Sequence, residues 1–161
     1  MPPLLSRRFL LFLAAAIVAA CATPSPSDAR HARAQVETLR IVTAQGKAVR
    51  FKVEVVADDA SRERGLMFRK SLAPDAGMLF DFITPRPVTF WMKNTYIPLD
   101  MLFIAPDGRI LNIAAQATPL NETPIPSAGP VRGVLEIGGG RAEALGIEPG
   151  DRVEHRIFSG G

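Results

Sequence analysis

One cysteine, two histidines, one tryptophan and one tyrosine in 161 residues leave little room for several common chemistries. A single thiol, Cys21, excludes an internal disulfide, so any folded domain must hold by core packing alone. His31 stands in a Pro/Ser-rich stretch and His155 near the other end of the chain. They offer no metal-ligand spacing, and no metal site is expected. No Ser stands in Gly-x-Ser-x-Gly, which removes the usual hydrolase nucleophile. Gly138-Gly139-Gly140 lacks the Lys-Ser/Thr of a phosphate loop and reads as a strand-to-helix turn. No motif calls for a cofactor. Long apolar runs are also missing, with one exception at the N-terminus.

That exception is Phe9–Ala20, preceded by Arg7-Arg8. It is too short to span a bilayer as a mature helix and has the shape of a secretory signal. Val18-Ala19-Ala20-Cys21 resembles a lipobox, in which small residues precede a cysteine that is acylated after cleavage. Acyl chains anchor by burying methylenes at about 0.8 kcal/mol each. The sequence therefore predicts a signal peptide over 1–20 and a lipidated Cys21, with the membrane as partner through that anchor. Ala20-Cys21-Ala22 also fits a general signal peptidase site. Ser6-Arg7-Arg8-Phe9-Leu10-Leu11 resembles a twin-arginine motif, so the export route is Sec or twin-arginine. All of these place the domain in the periplasm. Ala22-Thr23 after the cysteine lacks an inner-membrane-retaining Asp, which favours the outer membrane.

Charge excludes a further class. The chain has 19 Lys and Arg against 16 Asp and Glu. Arg7 and Arg8 leave with the signal, so 19 − 2 = 17 basic residues face 16 acidic ones. With no basic stripe interleaved with aromatics, nucleic acid is not an expected partner. Ala22–Ala34 carries Thr23-Pro24-Ser25-Pro26-Ser27-Asp28 and reads as part of a tether over 21–34. The folded domain is expected over 35–161.

Within that domain Leu39–Val42, the turn at Gln45-Gly46-Lys47 and Val49–Val55 predict a hairpin. The second run alternates apolar and charged residues, so one face is buried and one wet. Asp58–Arg64 opens on helix-capping residues and predicts a short helix. Met78–Phe82 and Thr89–Met92 predict short strands joined by the stiff loop Thr84–Pro87. Leu99–Ile104 and Arg109–Ala115 flank Asp107-Gly108 and predict a second hairpin. Five Pro and Gly residues within Gln116–Pro130 predict an exposed loop. Val131–Ile137 predicts a strand, Arg141–Leu145 a helix ended by Gly146, and Arg152–Phe158 a last strand. Many short strands with two short helices specify a mostly β fold, a compact sandwich or barrel.

The densest polar feature lies in Phe90-Trp91-Met92-Lys93-Asn94-Thr95-Tyr96-Ile97-Pro98-Leu99-Asp100-Met101-Leu102-Phe103-Ile104. Apolar runs flank a polar knot, and buried polar groups need partners. This run resembles the signature of the DUF192 (UPF0127) family, small bacterial and archaeal domains of unknown function. Arg64-Gly65-Leu66-Met67-Phe68-Arg69, Gly77-Met78-Leu79-Phe80, Val134-Leu135-Glu136 and Gly146-Ile147 with Gly150-Asp151 extend the match in order over residues 48–156. The resemblance implies a mostly β domain of jelly-roll or barrel character and carries no established chemistry.

Three readings of the knot follow. In the first, Trp91, Lys93, Asn94, Asp100 and Glu136, with Arg64, Arg62 and Arg69 as a cationic rim, hold a small polar or anionic ligand. Lys93 would stand over the Trp91 indole, and Glu136, facing opposite to Leu135 and Ile137, would draw on Lys93 or Arg64. In the second, Asp100 and Glu136 form the acid/base pair of a hydrolase. In the third, Asp100 caps the Asn94–Pro98 turn with Lys93 as its partner, and the domain is a structural protein-interaction module. The sequence favours a non-enzymatic small-ligand or accessory module.

Overall fold

The alternation of Val49, Phe51 and Val53 with Arg50, Lys52 and Glu54 places the first three in the core and Arg50 and Lys52 in solvent. A computed structural model of the protein describes residues 35–158; the expected signal peptide, the expected tether and Cys21 lie outside them. The elements are β1 (Val36–Val42), β2 (Ala48–Val56), α1 (Asp59–Arg64), β3 (Ala76–Arg86), β4 (Thr89–Phe90), β5 (Leu99–Ile104), β6 (Ile110–Ala117), β7 (Ile125–Pro126), β8 (Val131–Gly138), α2 (Arg141–Leu145) and β9 (Arg152–Glu154). A 3-10 turn, Arg156–Phe158, follows.

Seven strands form one sheet in the order β6-β5-β8-β3-β2-β1-β9, and β4 pairs separately with β7. The sheet curls into a half-barrel, and its two edges meet at one end. Arg109 bridges Arg152 there, with Ile110 N–H donating to Asp151 O (2.9 Å) and Val153 N–H to Gly108 O (2.7 Å). Joining the edges satisfies backbone groups that an open sheet would leave unpaired. Among the described residues the expected mostly β fold with two short helices is what the chain adopts, as a half-barrel.

Two apolar layers follow from strand alternation. Leu39, Ile41, Phe51, Leu79, Leu102, Leu135 and Ile137 fill the inside of the curl. Met78, Phe80, Met101, Phe103 and Val134 point the other way and are covered by Leu66, Met92 and the segments around β4 and β7. The central strands are thus buried on both faces, which explains the apolar run Met101–Ile104 of β5.

Three local expectations need correction, and one strand pairing lay outside them. β3 runs to Arg86, through the segment expected to be a loop, because Pro85 lies beyond the last regular pairs with β8 and a register shift follows Asp81. β2 and β3 pair in parallel, with α1 in the connection between them. Ile125–Pro126 inside the expected loop is strand β7. The last strand stops at Glu154, and Arg156–Phe158 coils into the 3-10 turn that buries Ile157 and Phe158.

Candidate functional site

α1 starts at Asp58, whose carboxylate accepts the Ser61 N–H at 2.9 Å, and ends at Gly65. The helix buries none of its residues; after it Leu66 is buried and Met67 half-buried instead. This segment, the end of β3 and the chain around β4 enclose a cavity of about 310 Å³. Its walls include Leu66, Met67, Phe80, Phe82, Phe90 and Trp91; Arg62, Arg64 and Arg86 supply cations, and Asp59 and Glu63 anions. The size and the mostly apolar walls with a few polar groups fit a small-molecule site. Phe90 stands edge-on to Phe80 and Phe103 at 5.1 and 5.9 Å, which fixes the aromatic wall.

Glu136 reaches this cavity from β8. Its cross-strand neighbours are Met78 and Met101, so the carboxyl stands on an apolar face. It is buried, and Oε2 has no hydrogen-bond partner among the described residues. Burial pushes the carboxyl up from 4.5 to about 8, with the field of Arg69 opposing. Glu136 is therefore neutral at pH 7, and its proton is available to donate.

The cations divide by partner. Arg62 is held by Asp59 at 2.5 Å and Asp81 O at 2.8 Å, and also by Ala57 O. Its guanidinium stands 5.5 Å from the Phe82 ring, where Arg86 adds a second at 5.0 Å. Arg69 forms a double hydrogen bond to Glu54 at 2.5 and 2.7 Å and lines a neighbouring hollow with Phe68. Arg64 lines both spaces and carries no ion pair among the described residues. Arg64 and Arg86, which also has no ion pair among the described residues, are the cavity cations open to a ligand, and Arg86 is already set over the Phe82 ring.

Asp100 has a different setting. It is fully buried, and because Met101 pairs with Glu136 while Asp100 pairs with Ile137, the two carboxylates lie on opposite faces of the sheet. Asp100 accepts the N–H of Gln116 (2.8 Å), Gly140 (2.9 Å) and Ala142 (2.7 Å). Gly140 has no side chain to cap α2, so β5 supplies the cap. The Asn94–Pro98 turn and Lys93, expected as its partners, do not reach it. That turn is held instead by Thr95 N–H to Met92 O at 3.1 Å and Phe68 N–H to Asn94 O at 2.8 Å.

Lys93 stands 5.2 Å from the Trp91 ring centre, the cation–π geometry expected. It and Asn94 do not line the cavity; the Asn94 amide donates to Met67 Sδ at 3.9 Å. Of the six residues singled out, Trp91, Glu136 and Arg64 come together, while Lys93, Asn94 and Asp100 stay outside. Among the described residues, no group of three or more His, Cys, Asp or Glu side chains is placed to hold a metal ion.

The model of the DUF192 family, described as "Uncharacterized ACR", matches residues 40–155. The chain belongs to this family. Its domain is similar to a solved Sinorhizobium meliloti protein, a proposed transcription regulator, at 52% identity and TM-score 0.73, covering 74% of this chain and 93% of that one. A Novosphingobium aromaticivorans protein of unknown function is 46% identical, with TM-score 0.73, covering 75% and 86%. No curated protein matches the chain.

Within the DUF192 domain, sequence reasoning had no route to Leu66, Phe80, Arg86, Phe90 and Thr95 as cavity residues. They come from three separated segments joined only by the parallel β2–β3 pairing and the β4–β7 cover. The available signal was Glu136, an acid in the middle of an apolar strand.

Proposed function

We propose that this DUF192 protein is an exported, lipid-anchored binding module whose cavity takes a small amphipathic anion. The ligand has an apolar or aromatic body, one group that accepts a hydrogen bond from neutral Glu136, and an acidic end toward Arg64. Glu136 carries the reading. A buried carboxyl with an unpartnered oxygen costs stability, and here Glu136 lines an open cavity. A ligand carbonyl or carboxylate would supply the missing partner without forcing a charge into an apolar site. The N-terminal Arg7-Arg8, apolar run and Cys21 support export and anchoring.

An acid/base pair of Asp100 and Glu136 is disfavoured by their opposite faces. The regulator role proposed for the Sinorhizobium protein has no recognition helix to rest on among the described residues, where α1 and α2 span six and five residues.

A thermal-shift screen of short-chain, aryl and branched carboxylates tests the reading, because whatever binds the folded state raises its melting temperature. Hits are expected to bind at least tenfold more weakly to Glu136→Leu, which removes the donor, than to Glu136→Gln, which keeps one. Arg64→Ala should weaken the acids and spare their neutral amides. A screen without hits, or hits indifferent to Glu136→Leu, would overturn it.

A further inference from the structure

Three bulky apolar residues hold the left-handed backbone that Gly or Asn adopts easily: Phe68 (φ 64°), Ile83 (59°) and Leu120 (61°). A Cβ is disfavoured there. Their side chains are 52%, 63% and 59% exposed, so burial does not offset the strain. Burial therefore gives no reason for these residue types.

Phe68 and Leu120 are brought together around Tyr96. The Phe68 ring stands edge-on to Tyr96 at 6.1 Å. Phe68 N–H donates to Asn94 O at 2.8 Å, and Leu120 N–H to Thr95 O at 3.1 Å. Met92 N–H donates to Asn121 O at 2.8 Å, which draws Trp91 into the same group with Lys93 over its ring. Tyr96 and Trp91 are half exposed. Lys70 follows Phe68 by two residues, and Arg64 precedes it in the hollow that Phe68 lines. Glu122 is the acid nearest Leu120 in the chain.

We propose that Phe68, Trp91, Tyr96 and Leu120 form a second membrane contact that seats this face of the domain on an anionic phospholipid surface. Amphipathic aromatic rings partition to the headgroup level of a bilayer, and Lys and Arg beside them meet lipid phosphates. The chain also enters the domain beside this patch. Gln35 O accepts the Val55 N–H at 3.2 Å, Val36 pairs with Glu54, and Glu54 holds Arg69, the neighbour of Phe68. A lipid on Cys21 would tether that end of the domain to the bilayer through residues 21–34. This last support rests on the anchoring proposed above; the patch does not. Trp91 and Met67 belong to the cavity wall, so docking would bring the cavity close to the lipid surface.

Trp91 is the only tryptophan, so its emission reports on the patch even when the N-terminal segment holds the chain to a vesicle. The full chain is mixed with vesicles of phosphatidylglycerol and phosphatidylethanolamine, or of phosphatidylcholine alone, each carrying brominated acyl chains. The expected result is blue-shifted Trp91 emission and bromine quenching on the anionic vesicles, reduced severalfold by high salt or by phosphatidylcholine. The double variant Phe68→Asn/Leu120→Asn should lose at least fivefold of the quenching with an unchanged or higher melting temperature, because Asn tolerates the left-handed backbone. Equal quenching in the double variant, or unshifted emission on anionic vesicles, overturns the proposal. Concentration-dependent dimerisation that buries Trp91 without lipid overturns it in favour of a second copy. Failure of the anchor reads out separately, as absence of a fatty-acid label on Cys21 with Trp91 quenching intact.

Discussion

Holding Glu136 neutral couples the stability of the domain to pH in a defined window. The carboxyl titrates near 4.5 in the unfolded chain and near 8 in the folded domain. Below pH 4.5 both states carry the proton and Glu136 contributes no pH dependence. Between the two values the unfolded chain has released a proton that the folded state still binds, so stability falls as pH rises, by at most about 1.4 kcal/mol per unit. From pH 5 to pH 8 this predicts a loss of about 3.5 kcal/mol, with part of it removed by relaxation around the cavity. His155, whose pKa is lowered by burial, contributes in the opposite sense at lower pH. The prediction is therefore made on a difference. Urea denaturation of wild type and Glu136→Gln across pH 5 to 8 should give curves that diverge in favour of Gln by about 2–4 kcal/mol at the upper end. Parallel curves would refute the claim that Glu136 is a neutral, buried carboxyl.

Asp100→Ala should destabilise by about 3–5 kcal/mol, since three N–H groups, that of buried Ala142 among them, lose their fully buried acceptor; thermal melts should show a fall of about 10–20 °C, and an unmoved melting temperature would contradict the cap. Gly77→Ala would place a Cβ 2.7 Å from Glu136 O on the adjacent strand; about 1–3 kcal/mol of destabilisation in urea is expected, and a neutral result would contradict that close approach. Cells fed a fatty-acid probe should label the wild-type protein and not Cys21→Ala; label on the variant would sink the anchor.

Local patterns made much of this fold legible. Strict alternation marked β2, Asp107-Gly108 marked the β5–β6 hairpin, and Gly146 marked the end of α2, which closes with φ 70°. The parallel β2–β3 pair was not legible, because parallel pairing leaves no tight turn between its strands. β7 hid inside a proline-rich segment because a two-residue strand at Ile125–Pro126 has no period to read. At the site, the parity of β8 exposed Glu136 as an acid on an apolar face. Parity also separated Asp100 from Glu136, but only the β5–β8 register puts the two strands side by side and makes that separation visible. Asp100 stood among apolar residues for a structural reason that lies forty residues away, in the uncapped start of α2.

The central claim is that the Glu136 cavity is a ligand site. Methyl-labelled methionine spectra test it most directly, since Met67 lines the cavity while Met78 and Met101 flank Glu136 on the adjacent strands. Titration with a carboxylate that raises the melting temperature should shift the Met67 methyl and the Trp91 indole N–H together, with one saturating curve, and both shifts should vanish in Glu136→Leu. Shifts confined to residues away from this cavity, or unchanged by Glu136→Leu, would contradict the account.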